Sequence, residues 1–185
     1  MAKANRVVGL MFRSFKNLEN PTFVLLYKAL VRPHLEYGSV VWSQLNTHLT
    51  KKIESVQRRA TGRLPTMNGL SYEQRLRSLG LPTLEYRRLR YDMLQVFKIM
   101  NGLEDIDPES LICKANPGRT RGHQWKLKKE RTRTARARKS FRHRVVDNWN
   151  ELPERVVNAT SMNEFKSRLN EAWKHHPIKF TPSFM

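Results

Sequence analysis

The clustered lysines and arginines are the functional side chains that stand out most in this sequence. The chemistry that they offer is the binding of anions. Of the 35 lysines and arginines, twelve lie in residues 119–144, where Glu130 is the only acid. The whole chain carries a formal net charge of +19, with a pI near 10.7. A cation placed on a nucleic-acid phosphate releases condensed counterions and gains affinity without reading the base sequence. The pattern predicts a nucleic-acid partner, and a solvated, partly disordered arm is the alternative.

Three groups of basic residues are candidates for phosphate contacts. In the segment 119–144 they are Arg119, Arg121, Lys126, Lys128, Lys129, Arg131, Arg133, Arg136, Arg138 and Lys139. On the outer side of a predicted amphipathic helix they are Lys51, Lys52, Arg58, Arg59 and Arg63. The third group is Arg87, Arg88 and Arg90. A solvated helix face paired with Glu85 explains this third group equally well.

Trp125 is the aromatic side chain among the cations of residues 119–144. Stacking of a base on such a ring contributes about 1–3 kcal/mol, so Trp125 is a candidate for contacting an unpaired base. The alternative is that its ring anchors the segment to the helices. The sequence contains neither a recognition helix nor the aromatic pair of an RNA-recognition sheet. We therefore predict binding to RNA or DNA that follows the backbone and its shape.

The sequence offers no constellation for catalysis or for a resident metal. Two-metal polymerases and nucleases need aspartates that converge on magnesium, whereas the four aspartates here fall in predicted helices and a hydrophilic loop. There is no glycine-rich phosphate loop. The single cysteine, Cys113, has no evident base partner, and the six scattered histidines form no zinc pattern. We expect no enzyme activity, no cofactor and no metal.

The N-terminal residues bear on the cellular location. Residues 1–16 mix basic and apolar positions, which fits neither a signal peptide nor a membrane-spanning helix. With one cysteine, an internal disulfide is impossible and a reducing compartment is expected. We expect an intracellular protein without membrane contact, either nuclear or cytoplasmic. The oligomeric state stays open.

Helical periodicity dominates the first hundred residues. Asn20 suits an N-cap and Pro21 the first helical position. The apolar positions that follow recur every three or four residues and predict one buried face, with a kink at Pro33. They are Phe23, Leu26, Tyr27, Leu30, His34, Tyr37, Val41 and Trp42. Ser71 and Gln74 form a capping box that opens a later helix.

Composition changes after residue 102, where an acidic stretch surrounds Pro108. Residues 124–128 alternate as in a strand, and residues 131–139 could return as the second strand of a hairpin or stay mobile. Helical periodicity resumes at Ser140, and a second capping box at Ser161 and Glu164 opens the last helix. We predict a mainly α fold: a helical domain over 1–102, a linker over 103–118, and a basic segment over 119–185 that ends in two helices.

Five blocks of the sequence stand out in a fixed order. They are residues 30–42 (LVRPHLEYGSVVW), 56–61 (VQRRAT), 79–88 (LGLPTLEYRR), 119–123 (RTRGH) and 145–153 (VVDNWNELP). Together they resemble the region downstream of the catalytic palm in reverse transcriptases of jockey-like non-LTR retrotransposons. The similarity covers nearly the whole chain, and none of the blocks is a catalytic motif.

The resemblance implies the thumb and C-terminal region of an RNA-directed DNA polymerase from a transposable element. Residues 1–102 would be the thumb-like bundle that grips primer-template, and the basic tail would hold element RNA or target DNA. The Asp-Asp turn of the palm is absent, so we expect a nucleic-acid-binding fragment without catalysis of its own. One alternative is a chain that completes a polymerase with a separately made palm. The other is a basic ribosome- or chromatin-like scaffold, or an interaction partner of acidic proteins.

Overall fold

The computed structural model describes residues 1–42, 47–107, 111–115 and 123–184. They form two compact units: unit 1 comprises Met1–Arg88 and Pro177–Met185, and unit 2 comprises Leu89–His176. Both units are built from helices, which confirms the predicted mainly α fold. The predicted domains 1–102 and 119–185 were based on composition and stay a prediction, and the two units are divided instead after residue 88.

Unit 1 contains the N-terminal helices and the C-terminal end of the chain. Its elements are α1 (Ala2–Ser14), α2 (Asn20–Leu26), a π-helical segment (Tyr27–Val31), α3 (Pro33–Glu36), α4 (Ser39–Trp42), α5 (Thr47–Gly62), a 3-10 turn (Pro65–Met67), α6 (Tyr72–Leu79), the start of α7 (Leu84–Met100) and a second 3-10 turn (Pro177–Lys179). Phe23 and Tyr27 stack in its core with ring centroids 5.7 Å apart. Thr83 ties the C-terminal turn to this unit, because its N–H donates to the Lys179 carbonyl at 2.9 Å.

Local sequence signals set the limits of α6 and α7. The Ser71 hydroxyl accepts the Gln74 N–H, and the Gln74 side chain accepts the Ser71 N–H, which confirms the predicted capping box. Gly80 ends α6 with a φ of 60°, a left-handed conformation that glycine adopts without a steric penalty. The Thr83 hydroxyl then accepts the Tyr86 N–H at 3.0 Å at the start of α7.

The apolar run after residue 23 does not form one buried face. Phe23 and Tyr27 are buried as predicted. The exposed members of the run are Leu30, His34, Tyr37 and Val41. The Arg32 N–H donates to the Tyr27 carbonyl at 2.9 Å, a π-helical bond that puts one extra residue into the turn. Gly38, with a φ of 63°, ends the next helix. The helical register is reset at both places, so the prediction is wrong for these four positions.

Unit 2 packs the rest of α7 with α8 (Ala135–Arg138), α9 (Phe141–Asn150), α10 (Glu154–Val157) and α11 (Met162–Ala172). Phe97 and Phe165 stack with centroids 4.3 Å apart, and Trp149 lies 6.0 Å from Phe165. Ser161 caps α11 as predicted by accepting the Glu164 N–H at 3.2 Å. The Glu164 carboxylate instead accepts the Thr160 N–H, one residue earlier than in the predicted box.

The predicted hairpin does not form. Leu127 pairs with Lys114 in an isolated antiparallel bridge, so the partner of the extended residues precedes them in the chain. Residues 131–139 contain α8, whose first turn is capped by the Thr134 hydroxyl accepting the Ala137 N–H at 3.1 Å. A local helix cap thus prevails over the alternating pattern in this segment.

Candidate nucleic-acid interface

The start of the basic segment is held on both of its backbone edges. On one edge the Lys128 N–H donates to the Cys113 carbonyl at 2.7 Å, and the Ala115 N–H donates to the Lys126 carbonyl at 2.8 Å. On the other edge the Asn150 side chain accepts the Leu127 N–H at 2.8 Å and donates to the Leu127 carbonyl at 2.9 Å. The side-chain amide of α9 therefore takes the place of a neighbouring strand, and residues 126–128 are fixed.

Six exposed cations begin at the last of these fixed residues and continue along the chain after it. We call them the basic tract. They are Lys128, Arg131, Arg133, Arg136, Arg138 and Lys139. The only acid within this stretch, Glu130, lies 2.9 Å from the Arg142 guanidinium and accepts a hydrogen bond from the Cys113 thiol at 3.3 Å. These contacts lower the pKa of Glu130, with the Cys113 hydrogen bond as the first cause. Among the described residues, no acid forms an ion pair with a member of the tract.

The other cations of the segment 119–144 are engaged or lie elsewhere. Lys129 contacts both carboxylate oxygens of Asp147 at 2.7 Å on the surface. Arg144 forms a two-point ion pair with Asp92 at 2.8 Å, and both side chains are 5% exposed. Lys126 is half-buried. The predicted contacts Arg119 and Arg121 lie outside the described residues.

A second basic surface lies on α1 and α5 in unit 1, and we call it the α1–α5 face. The Arg59 guanidinium donates to the Asn5 side chain at 3.0 Å, and Arg63 lies 4.6 Å from the centroid of the Phe12 ring. The α1–α5 face comprises Arg6, Arg13, Arg59 and Arg63, all of them exposed. Arg6 and Arg13 were not among the predicted contacts. Their spacing of seven residues, which places two side chains on the same face of a helix, was the available signal.

Two of the remaining predicted cations of α5, Arg58 and Lys51, lie over other aromatic rings. Arg58 is half-buried and lies 4.9 Å from the centroid of the Tyr72 ring. Lys51 is 5.8 Å from the Phe184 ring centroid, and Lys52 is exposed. The five basic residues predicted as one helix side are thus divided between two sides of α5.

Arg87 and Arg88 do not lie on an open surface, and their predicted contact with nucleic acid stays a prediction. Arg87 forms a two-point ion pair with Glu36, with Nη2 to Oε2 at 2.9 Å. Arg88 is 3% exposed, and its charge lowers the pKa of the buried Glu54. A phosphate contact would need both arginines to leave these environments. Arg90 donates to the Asn170 side chain at 2.9 Å.

The inner side of α5 carries a buried polar network. The Tyr72 hydroxyl donates to Glu54 at 2.7 Å, and Glu54 also accepts the Leu84 N–H at the start of α7, at 3.0 Å for Oε2. Gln57 accepts from the Tyr27 hydroxyl at 2.8 Å and donates to the Tyr72 hydroxyl at 3.2 Å. Burial raises the pKa of Glu54 from 4.5 to about 7, against the lowering effect of the Tyr72 hydrogen bond.

Trp125 lies immediately before the fixed residues 126–128. Its indole N–H donates to the Asn158 side chain at 3.0 Å, its carbonyl accepts the Trp149 indole N–H at 2.8 Å, and its side chain is 37% exposed. Trp149 and Trp173 are buried, whereas Trp42, which was predicted to lie on a buried face, is half-buried. Trp125 is therefore both anchored and accessible.

The described part of the chain contains no group of three or more histidine, cysteine and acidic side chains that could hold a metal ion. Within the same residues, no helix is long and apolar enough to cross a membrane. The sequence matches no protein-family model, and no curated protein or solved structure is significantly similar to the chain.

Proposed function

We propose that the chain binds RNA or DNA through the phosphate backbone, with the basic tract as the principal contact. The observation that carries this proposal is that six exposed cations follow one another from Lys128 to Lys139 while the one acid among them is bound to Arg142. The cations of such a run repel one another, and binding to nucleic acid is favourable because each phosphate contact releases counterions condensed on the nucleic acid. The fixed backbone at residues 126–128 gives the run a defined origin on unit 2.

The chemistry of this binding is electrostatic, without base-specific hydrogen bonds. Arginine side chains match phosphate oxygens in a two-point geometry, and four of the six cations are arginines. Each contact with a single strand contributes about −0.7 to the slope of log K against log salt, so six contacts give about −4. The α1–α5 face is a second candidate surface.

We further propose that the chain corresponds to the region downstream of the palm in a retrotransposon reverse transcriptase. The similar blocks include residues with clear structural tasks, which supports a shared helical fold. Gln57 links three elements by hydrogen bonds to Tyr27, Tyr72 and the Pro82 carbonyl, and Asn150 holds residue 127. In this role the chain grips primer-template or element RNA, and the sequence has no Asp-Asp pair of the kind found in the palm of such polymerases.

The proposal is tested by fluorescence anisotropy of the full chain with labelled single-stranded RNA, duplex DNA and an RNA–DNA hybrid, each titrated at several salt concentrations. The expected result is binding at low salt, with a slope near −4 for the single strand. A salt-independent affinity, or the absence of binding at low salt, would refute it.

A competition experiment separates this proposal from the scaffold or acidic-partner alternative. Polyglutamate matched in total charge to the RNA carries carboxylates without the spacing and geometry of phosphodiesters. The chain is expected to release RNA only at a large excess of polyglutamate. Equal competition would favour an acidic protein as the partner.

A further inference from the structure

A small cleft in unit 2 opens beside Trp125. It has a volume of about 200 Å³, and its lining includes Met100, Asn101, Gln124, Trp125, Val157 and Asn158. Pockets for drug-sized ligands span roughly 300–1,000 Å³, so this cleft suits a smaller group. Its lining combines two tryptophan side chains, three further apolar side chains and three side-chain amides, which is the chemistry of a site for a flat, polar-edged ring.

The Trp125 ring is held in place at this cleft. Its N–H is tied to Asn158 at 3.0 Å, its carbonyl is tied to Trp149 at 2.8 Å, and Lys114 Nζ lies 5.8 Å from the ring centroid. An exposed aromatic ring that is already oriented loses little conformational entropy when a second ring stacks on it. Trp125 therefore forms a prepared stacking platform.

The amides leave both kinds of hydrogen-bonding atoms for a ligand. Asn101 uses its Nδ2 to donate to the Phe97 carbonyl at 2.9 Å, which leaves Oδ1 as an acceptor. Asn158 uses its Oδ1 to accept from Trp125, which leaves Nδ2 as a donor. The Watson–Crick edge of every base carries a donor and an acceptor side by side. Such a lining accepts a base without selecting one.

We propose that this cleft binds one unpaired nucleobase of a strand whose phosphates lie on the basic tract. The inference rests on the proposed function, and it specifies which form of nucleic acid the chain prefers. Trp125 precedes Lys128 by three residues, a separation of at most about 11 Å along the chain, so one strand can reach both. A base in a continuous duplex is stacked and paired and cannot enter, so the cleft favours single strands, loops or frayed ends.

The test compares strands with equal phosphates and different bases. The full chain is titrated by anisotropy with labelled oligouridylate and with an abasic oligonucleotide of the same length, and oligodeoxyuridylate in parallel separates RNA from DNA. The base-bearing strand is expected to bind roughly 5- to 150-fold more tightly than the abasic strand. Trp125→Leu should abolish this ratio and leave the abasic affinity unchanged, and Trp125→Phe should retain part of it.

Tyr37→Leu is the matched control, because Tyr37 is an 88% exposed aromatic residue in unit 1. It should leave the ratio intact. A second readout does not depend on variants: photo-crosslinking of an oligonucleotide that carries 5-iodouracil should label Trp125.

The outcomes separate the two proposals. A wild-type ratio near one, a ratio that survives Trp125→Leu in folded protein, or crosslinks confined to the basic tract would overturn the base site while phosphate binding stands. If neither strand binds at low salt, the proposed function fails and the base site fails with it. Base-dependent binding without a salt slope would refute phosphate binding by the basic tract, and a base site for a strand held on the tract would be refuted with it.

Discussion

Unit 1 has the larger excess of positive charge, yet unit 2 has the stronger candidate interface. The sequence of unit 1 holds sixteen lysines and arginines against five acids, whereas that of unit 2 holds nineteen against eleven. In unit 1, however, Arg63 lies on the Phe12 ring and Arg87 is bound to Glu36. In unit 2, Glu130 pairs with Arg142 and Asp92 pairs with Arg144. Among the described residues, no acid forms an ion pair with a cation of the basic tract. The candidate interface is therefore identified by which cations the acids pair with, and not by the number of cations in each unit.

The two surfaces also differ in what holds them. The α1–α5 face rests on a helix whose inner side carries the buried carboxyl of Glu54. The basic tract starts from a backbone held by the amide of Asn150, which does not ionise between acid and neutral pH. The first support is sensitive to pH and the second is not.

Neutralising the tract should have the largest effect. Replacing its six cations with glutamine removes about 4 from the magnitude of the single-strand salt slope, since each phosphate contact contributes about 0.7. Anisotropy titrations over a range of salt measure the change. The affinity of the variant for single-stranded RNA should then depend on salt only through the remaining cations.

A charge-matched variant distinguishes local contacts from the general field of the protein. It replaces six cations scattered outside both surfaces with glutamine: Lys16, Lys28, Arg77, Arg155, Lys166 and Lys174. Its net charge equals that of the tract variant, but its slope should stay near that of the wild type. Equal losses in the two variants would show that net charge alone determines binding and would break the distinction between the units.

The stability of unit 1 should fall as the pH rises from about 4.5 to about 7. The folded state holds the pKa of Glu54 at about 7, above its ordinary 4.5, so in this window the folded state binds more protons than the unfolded state. That contribution is fully present below the unfolded pKa and is lost as the pH rises through the folded one. At about 1.4 kcal/mol per pKa unit, the loss is roughly 3 kcal/mol. Hydrogen exchange of α5 peptides against pH measures it within unit 1.

Glu54→Gln should remove most of this pH dependence, because a neutral side chain has no proton to release. The α9 peptides of unit 2 provide the internal reference and should change little over the same range. A parallel loss of protection in both units would contradict a role for Glu54. Unchanged pH dependence in Glu54→Gln would assign the effect to another group.

Asn150→Leu should destabilise unit 2 by about 1–3 kcal/mol. Leu127 is 2% exposed, so its N–H and carbonyl would lose their partner without gaining water. Urea unfolding measures the free energy, and exchange at the Leu127 amide reports the site directly. Asn148→Leu, a half-buried position of the same helix, leaves the pairing in place and is the control. If both variants behave alike, the amide clamp does not stabilise the segment.

The sequence predicted the features that are determined by near neighbours. The capping box at Ser71 and Gln74 and the N-cap at Ser161 involve residues a few positions apart, so their signals are visible in the chain. The fold class follows from the sum of such signals.

Features that depend on distant partners were missed. Arg87 looked like a surface cation because its partner, Glu36, is 51 residues away. Asn150 carries no signal that its amide replaces a strand for Leu127. The π-helical bond at Arg32 shifts the register without a characteristic residue, so the positions after it were assigned to the wrong face. The cations of the basic tract were selected from the sequence because a high local density of lysine and arginine is visible without knowledge of the residues that they contact.

Arg63→Lys gives the smallest expected effect and the sharpest test of the α1–α5 face. It keeps the charge but loses the planar guanidinium that lies 4.6 Å from the centroid of the Phe12 ring. A cation–π contact at an exposed site contributes about 0.5–1 kcal/mol, and lysine makes a weaker one than arginine. A loss of about 0.5 kcal/mol in urea unfolding is expected, with an unchanged salt slope. Arg13→Lys, exposed on the same face, should change neither. If Arg63→Lys instead weakens RNA binding at constant stability, then Arg63 contacts the ligand, and unit 1 shares the interface with unit 2.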